Sequence, residues 1–454
     1  MRTTLFWIGS ACLVWAVGTL VATRLGTARL SASETVAGFI PLTEIPAIPA
    51  LKMPSVDSAP LHARPAAKKK TQQVTVRLFS ESKVTSLSIE SDHGLYWKDR
   101  RFTGVMTLSI DGDRVVMRQG SRRLTRTQRV ELLVPEGAFD IHRPHGAGRR
   151  TTGILEVTIR RNELLVVNHV DLETYVLGIV EPELGSLSLP AEAMKAQIVA
   201  ARSYFLAVSN RHPGQSYEFC DGPHCQVYAG IGHYPKRFLE AAQAVRGLYL
   251  TYHGRPAAAF FHHSCGGTTA AIEDIWPGPA IPYLRSVVDG SPTAYCHLAP
   301  HNDWTIRITR HALRNCFARQ GWIRNGEALD SLRVIRRNKS GRADQILVQS
   351  SQPRWVRADL FCHTVNRAFN GEVLFSTDFQ IYAEGNYFRF EGRGWGHGVG
   401  MCQSGAIVMA RHGKKYTEIL SHYFPGTNIS RLPNHPYAPQ PDPSFLHYLR
   451  NLVE

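Results

Sequence analysis

Apolar and polar residues alternate with a period of two through much of the chain between Gln73 and about Val170. The runs are Val74-Thr75-Val76-Arg77-Leu78, Leu87-Ser88-Ile89-Glu90, Val115-Val116-Met117, Val130-Glu131-Leu132-Leu133-Val134 and Ile154-Leu155-Glu156-Val157-Thr158-Ile159. Turn residues such as Asp92-His93-Gly94 and Asp111-Gly112-Asp113 punctuate them, which predicts an antiparallel β region. Leu164 to Val167 is the strand that feeds the next element. From Val167 to Leu206 the pattern changes: a strand, a turn at Glu181-Pro182-Glu183-Leu184-Gly185, and then a helix. Pro190 suits the first helical turn and Glu192 complements the positive end of the dipole. Met194, Ile198, Ala201, Phe205 and Val208 recur at alternating spacings of four and three, a single apolar stripe.

Further on, Phe238 to Val245 reads as a helix, and Leu248 to Tyr252 and Ala257 to Phe261 read as strands around a turn at His253-Gly254. The region from Cys296 to Asn370 has its own helix, Arg310 to Arg319, and a strand at Ile346 to Val348; a last helix runs from Gln403 to about His412, capped by Gly413. The expected fold is α+β. It has a β-rich subdomain at 73–165 packed on a mixed α/β core at 166–295, an inserted subdomain at 296–375, a completing segment at 376–430 and a tail at 431–454. Ahead of these, Leu5 to Ala22 carries no charge, which makes 1–30 a signal peptide or membrane anchor, and the Pro/Ala/Ser-rich 31–72 a flexible linker ending in Lys68-Lys69-Lys70.

Composition refines this picture. The chain has 454 residues, enough for two or three compact units, and with 43% hydrophobic and 20% charged residues it is not a disordered protein overall. Its net charge of +15 would point to nucleic acid in a cytoplasmic protein, but no nucleic-acid motif is present. Behind an export segment the polyanions within reach are the cell wall and the membrane surface. The expected location is therefore the cell envelope, periplasmic or extracytoplasmic, with residues 5–22 anchoring the chain to the inner membrane.

Three groups of residues carry candidate chemistry. Glu183 is a carboxylate beside a helix whose flank presents Lys195 and Arg202, seven apart; spacing alone equally allows a solvated acid and an ordinary base. His212, Cys220, His224 and Cys225 fall within fourteen residues on a Pro/Gly-containing loop. Two thiols and two imidazoles can close tetrahedrally on a structural zinc, and a Cys220–Cys225 disulfide is the alternative in an oxidising compartment. Trp276 and Tyr283 offer flat faces for sugar rings, and Trp395 and His397 sit among five glycines in GRGWGHGVG. The remaining exported cysteines, Cys265, Cys296, Cys316, Cys362 and Cys402, are odd in number, so at least one stays free or pairs between molecules.

The segment Glu183-Leu184, Lys195-Ala196-Gln197, Ala200-Ala201-Arg202-Ser203-Tyr204 resembles the core of the stage II sporulation protein D and amidase enhancer family. His-Ser-Cys-Gly-Gly-Thr-Thr, Glu273-Asp274-Ile275-Trp276, Pro282-Tyr283-Leu284 and GWGHGVGMCQSG extend the similarity in family order. Leu184 stands where the family usually has Met, and Glu181 is an added acid that would raise the Glu183 pKa if the two lie close. The resemblance implies a peptidoglycan lytic transglycosylase with Glu183 and Arg202 catalytic, and Lys195, Tyr204, Trp276, Tyr283, Trp395, His397 and Gln403 binding substrate. It implies zinc on His212, Cys220, His224 and Cys225. The implied partners are peptidoglycan glycan strands, a cell-wall amidase and membrane proteins of division or remodelling. The family also contains non-catalytic amidase enhancers that bind the wall, and that reading stays open.

Overall fold

The computed structural model describes residues 73–432 apart from 187, 209, 210, 233, 370 and 372. The expected signal or anchor at 5–22, the linker at 31–72 with its lysine run, and the tail from 433 onward lie outside the described residues. Among the described residues no helix is long and apolar enough to cross a membrane.

The alternating runs form one eleven-stranded sheet. Its main path runs Phe219–Cys220, Gln73–Leu78, Glu163–Asp171, Arg149–Arg160, Arg129–His142, Ser86–Glu90, Met106–Asp111, Arg114–Gln119 and Arg122–Thr127. Neighbours along it are antiparallel except at the first step, where Val76 and Arg77 pair in parallel with Phe219 and Cys220. The period of two appears directly as alternating burial, with Val74, Val76 and Leu78 inward. The expected boundary at 165 does not divide the packing, because the sheet and the helices share one hydrophobic core.

Helix α1 (Leu172–Leu184) continues straight from the sheet, capped by Asp171, whose carboxylate accepts the Thr174 N–H at 3.0 Å. Sequence reasoning expected strand and turn here. Val176, Ile179 and Val180 favour strand, and Pro182 argues against a helix. The structure resolves the conflict from outside the helix: Pro182 cannot donate to the Gly178 carbonyl, and the Ala229 N–H takes that acceptor at 3.1 Å. Gly185, at φ 73°, ends the helix with its N–H on the Glu181 carbonyl at 2.9 Å.

Helix α2 (Ala191–Ala207) starts where Pro190 predicts, but it has no solvated face: 14 of its 17 residues are buried. It packs among α1, α3 (Lys236–Ala244), the strand Leu248–Tyr252, α7 (Gln403–Arg411) and α8 (Tyr416–Tyr423), and the short α4 (Ile272–Ile275) lies in the same core. A helix buried on all sides has to satisfy its polar side chains internally. Ser203 Oγ donates to the Val199 carbonyl at 2.6 Å and accepts the Leu250 N–H at 2.8 Å. Arg202, fully buried, donates Nε and Nη2 to the two carboxylate oxygens of Glu173 at 2.9 and 2.6 Å, and Nη1 to the Val245 and Leu248 carbonyls at 3.1 and 2.6 Å.

The inserted unit has a separate core from Trp304 to Phe390, containing α5 (Arg310–Arg319) and α6 (Ala358–Ala368). It runs past the expected end at 375, because Tyr387–Arg393 pairs residue by residue with Asp303–Thr309 and Phe379–Glu384 joins it.

The Arg202–Glu173 pair generates a stability prediction. Glu173→Ala leaves a buried guanidinium without its counter-ion and should lower the unfolding free energy by about 3 kcal/mol, read from urea unfolding of the variant against the wild type.

Candidate active site and metal cluster

Glu183 sits in the last turn of α1, half-buried, where a glutamate has no help from the helix dipole. Its Oε1 accepts the Val227 N–H at 3.0 Å, and the Gln403 side chain also hydrogen-bonds the carboxyl. Both bonds favour the charged form, yet burial outweighs them and pushes the pKa up to about 7. Glu181, whose influence depended on the two acids lying close, is not among the causes of that shift. Two residues apart on a helix, the acids point to different sides, and the Glu181 carboxylate lies by Gly232.

The position of Val227 follows from the α1 sequence. Gly178 allows the segment Tyr228–Gly230 to lie directly on the helix, since a Cβ there would stand 2.6 Å from the Gly230 carbonyl oxygen. Gln403, the first residue of α7, reaches Glu183 from the other side and donates weakly to Gln197 Oε1 at 3.5 Å.

The four expected metal ligands converge. The donor atoms of His212, Cys220, His224 and Cys225 all lie within 4.8 Å of one another. The sulfurs of Cys220 and Cys225 are 3.4 Å apart and unbonded, a separation that suits two ligands of one ion. His212 Nε2 is 3.3 Å from Cys225 Sγ, and His224 Nδ1 is 3.7 and 3.4 Å from the two sulfurs. Donors at about 2.0–2.3 Å from a tetrahedral zinc stand roughly 3.3–3.8 Å apart, so the arrangement fits that ion. The cluster adjoins Glu183 through the chain, since Cys225 lies two residues before Val227.

Other expected site residues are engaged elsewhere. Arg202 is held by Glu173 at the start of α1, ten residues and about 15 Å of helix from Glu183, so the catalytic role expected for it has no geometric support. The recognised motif contained the arginine but not its partner, 29 residues earlier. Lys195 pairs with Glu192 at 2.7 Å, and Glu192 accepts the Tyr416 N–H at 2.8 Å, a tie between α2 and α8. Tyr283 is fully buried, its hydroxyl accepting the Ala258 N–H at 3.1 Å; it is a core residue rather than a sugar platform. Tyr204 is buried against Phe260, near enough to Glu183 to feel its charge, and its pKa rises to about 12 mainly through burial.

Trp276 and Trp395 remain half-buried. Trp276 packs on Phe260 and His397 with ring centroids 5.2 and 5.1 Å away. Trp395 packs on His263 at 4.5 Å and exchanges backbone hydrogen bonds with Ser264 at 2.8 and 3.0 Å. His397 accepts the Val399 N–H on Nδ1 at 3.0 Å and bonds the Phe261 backbone, so it fixes the glycine-rich loop. Burial holds its pKa down at about 4, with the Arg342 guanidinium adding to the effect. Arg342 was missed by sequence reasoning. It is a fully buried arginine of the inserted unit whose Nη2 donates to the Cys265 carbonyl at 2.5 Å.

The Stage II sporulation protein family model matches residues 160–252, and a domain of unknown function (DUF8618) matches residues 300–400, close to the limits of the second core. An uncharacterized protein of Brachyspira hyodysenteriae is 32% identical over 270 residues, covering 59% of this chain and 68% of that protein. Stage II sporulation protein D of Bacillus subtilis is 28% identical over 303 residues, covering 63% and 82%. The amidase enhancer of the same organism is 25% identical over 296 residues, covering 56% and 40%.

The raised pKa of Glu183 gives a pH-dependent prediction. The folded carboxyl keeps its proton up to about pH 7, whereas a free glutamate loses it near 4.5. The folded state therefore binds more protons between those values, and stability falls as pH rises through that window. Glu183→Gln should remove this fall and gain on the wild type by about 2–3 kcal/mol above neutrality and by little in acid, as read from urea unfolding at both ends of the window.

Proposed function

The chain belongs to the stage II sporulation protein D and amidase enhancer family, and from that premise we propose that it is a peptidoglycan lytic transglycosylase acting on peptide-stripped glycan strands. The observation that carries this reading is the carboxyl of the half-buried Glu183, its pKa raised by desolvation to about 7 with no neighbouring carboxylate among the causes.

Hydrolysis of a glycosidic bond ordinarily needs two carboxyl groups, one to protonate the leaving oxygen and one to activate water or attack the sugar. A lone carboxyl suffices when the nucleophile belongs to the substrate. Glu183 donates its proton to the glycosidic oxygen between MurNAc and GlcNAc, and the C1–O bond breaks. The resulting carboxylate takes the proton from the MurNAc C6 hydroxyl as that oxygen closes on C1, giving a 1,6-anhydro end. No water is consumed, and the intramolecular attack carries a large entropic advantage. A carboxyl with a pKa of about 7 is matched to both steps near neutral pH.

The Val227 N–H anchors Oε1 of the carboxyl. Gln403 contributes a second hydrogen bond and so limits how far burial raises the pKa. Trp276 and Trp395 supply aromatic faces for sugar rings; His397 acts by holding the loop between them. His212, Cys220, His224 and Cys225 would hold one structural zinc, whose chemistry is to cross-link the loop carrying Val227; the protein groups alone move the proton. The reaction takes place in the cell envelope, with residues 5–22 tethering the chain to the membrane.

The second reading, a non-catalytic enhancer, draws on the similarity to the amidase enhancer. Mass spectrometry of amidase-treated glycan strands incubated with the purified chain separates the two. The transglycosylase gives 1,6-anhydro ends, with kcat lowered about 10²–10⁴-fold in Glu183→Gln and an alkaline limb near pH 7 in the wild type. Hydrated reducing ends would replace this mechanism with hydrolysis, and absence of cleavage together with stimulation of an added amidase would replace it with the enhancer.

A further inference from the structure

Among the described residues, three of the five cysteines outside the first cluster meet at one point. Cys265 follows the strand Phe261–His262, Cys296 lies in the short 3-10 helix Tyr295–Leu298, and Cys402 caps the N-terminus of α7. Asp289 joins them; the donor atoms of all four residues lie within 4.8 Å of one another, and every one of the residues is buried. Cys316 and Cys362 lie apart, in the core of the inserted unit.

The geometry points to a second mononuclear metal site, of zinc-binding type, with Cys265, Asp289, Cys296 and Cys402 as its ligands. Cys265 Sγ and Cys296 Sγ are 3.6 Å apart, too far for a bond and close to the roughly 3.8 Å that sulfurs about 2.3 Å from a tetrahedral zinc would show. Donors this closely spaced leave room for one ion and not for an iron–sulfur cluster. Three soft thiolates with one carboxylate make a set that suits zinc. Burying four groups that become anionic on deprotonation is costly unless a cation compensates them.

The surroundings are built as a metal site's are. Backbone N–H groups of Cys265 and Gly405 point at Cys402 Sγ at 3.4 and 3.3 Å, and the Gly267 N–H points at Cys265 Sγ at 3.4 Å. The first cluster repeats the device, with the Cys220 N–H on Cys225 Sγ at 3.4 Å. Asp289 is oriented by two donors, the Tyr423 hydroxyl on Oδ1 and the Cys296 N–H on Oδ2 at 2.9 Å, and each oxygen keeps a lone pair for an ion. Gly405 is what lets α7 approach, since a Cβ there would stand 2.2 Å from the Tyr423 hydroxyl and 2.3 Å from Asp289 Oδ1.

The site is linked to the proposed acid through Gln403, which directly follows Cys402 and hydrogen-bonds Glu183. The two groups that hydrogen-bond Glu183 are thus each placed just after a metal-binding cysteine, Val227 after Cys225 and Gln403 after Cys402. The second ion fixes three segments of the core to one another and with them the start of α7.

The test is metal content, which does not depend on whether the chain cleaves glycan. The purified full chain, loaded with zinc and desalted, should hold two equivalents by elemental mass spectrometry. Cys402→Ser and Cys296→Ser should each hold one, Cys220→Ser also one, and the Cys220→Ser, Cys402→Ser double variant none. Cobalt(II) loading of the wild type guards against variants that fail to fold: five thiolates on two ions should give about two and a half times the sulfur-to-cobalt absorption of two thiolates on one. One equivalent in the wild type, two equivalents retained in Cys402→Ser, or a Cys265–Cys296 disulfide in the peptide map would overturn the proposal.

Discussion

A guanidinium buried at the centre of the core dictates where the neighbouring elements lie. Arg202 is held on a helix with almost no exposed surface, and five donors taken out of water have to be met inside the protein. Glu173 meets two of them and also accepts the Gly247 N–H at 3.2 Å. That single carboxylate therefore joins the beginning of α1, the middle of α2 and the turn before the strand Leu248–Tyr252. Once the first turn of α1 is pinned, the helix carries Glu183 to its far end, against Val227 and Gln403. Arg202 serves the site by setting the direction of α1.

This explains which parts of the molecule could be read from sequence. Helix α2 starts where its proline predicts but is buried well beyond its one stripe, while the strands Gln73–Leu78, Ser86–Glu90, Arg114–Gln119, Arg129–His142, Arg149–Arg160 and Glu163–Asp171 and the helices α5 and α7 follow from periodicity. Helix α1 does not, because its β-branched run and Pro182 contradict it locally and the compensating contacts, Ala229 on Gly178 among them, come from 51 residues away. The convergence of His212, Cys220, His224 and Cys225 was legible because ligand chemistry and short spacing coincide. The side chains of Arg202, Lys195 and Tyr283 are engaged with the protein itself, for one shared reason. A motif records that a residue belongs to the core helix or its surroundings, and says nothing of whether the side chain faces substrate or another helix. Glu273 illustrates the same point, since it pairs with Arg285 twelve residues on.

The inserted unit is part of the same structural problem. Its core is separate, but Arg342 leaves it and runs under the glycine-rich loop, where its Nη2 binds the Cys265 carbonyl and its charge bears on both His262 and His397. A fixed cation beside buried imidazoles disfavours a second positive charge, and burial acts in the same direction. His262 is held well below the usual imidazole range, and His263 and His397 at about 4. These rings are therefore neutral wherever Glu183 is titrating.

That neutrality matters for what a single carboxyl can do. An imidazolium near Glu183 would draw its pKa back toward the ordinary carboxylate range, and the group would then be deprotonated at neutral pH and unable to act as an acid. A second carboxylate would push the pKa higher still and could activate water. The structure has neither influence on Glu183: the shift comes from burial, opposed by one backbone and one side-chain hydrogen bond. Both opposing donors are backbone-positioned or helix-mounted, so their pull on the proton is set by the fold and does not vary with the rotamer of a charged neighbour. A carboxyl balanced in that way can give up a proton and recover it within one catalytic cycle, which is what a reaction with an internal nucleophile and no water asks of it.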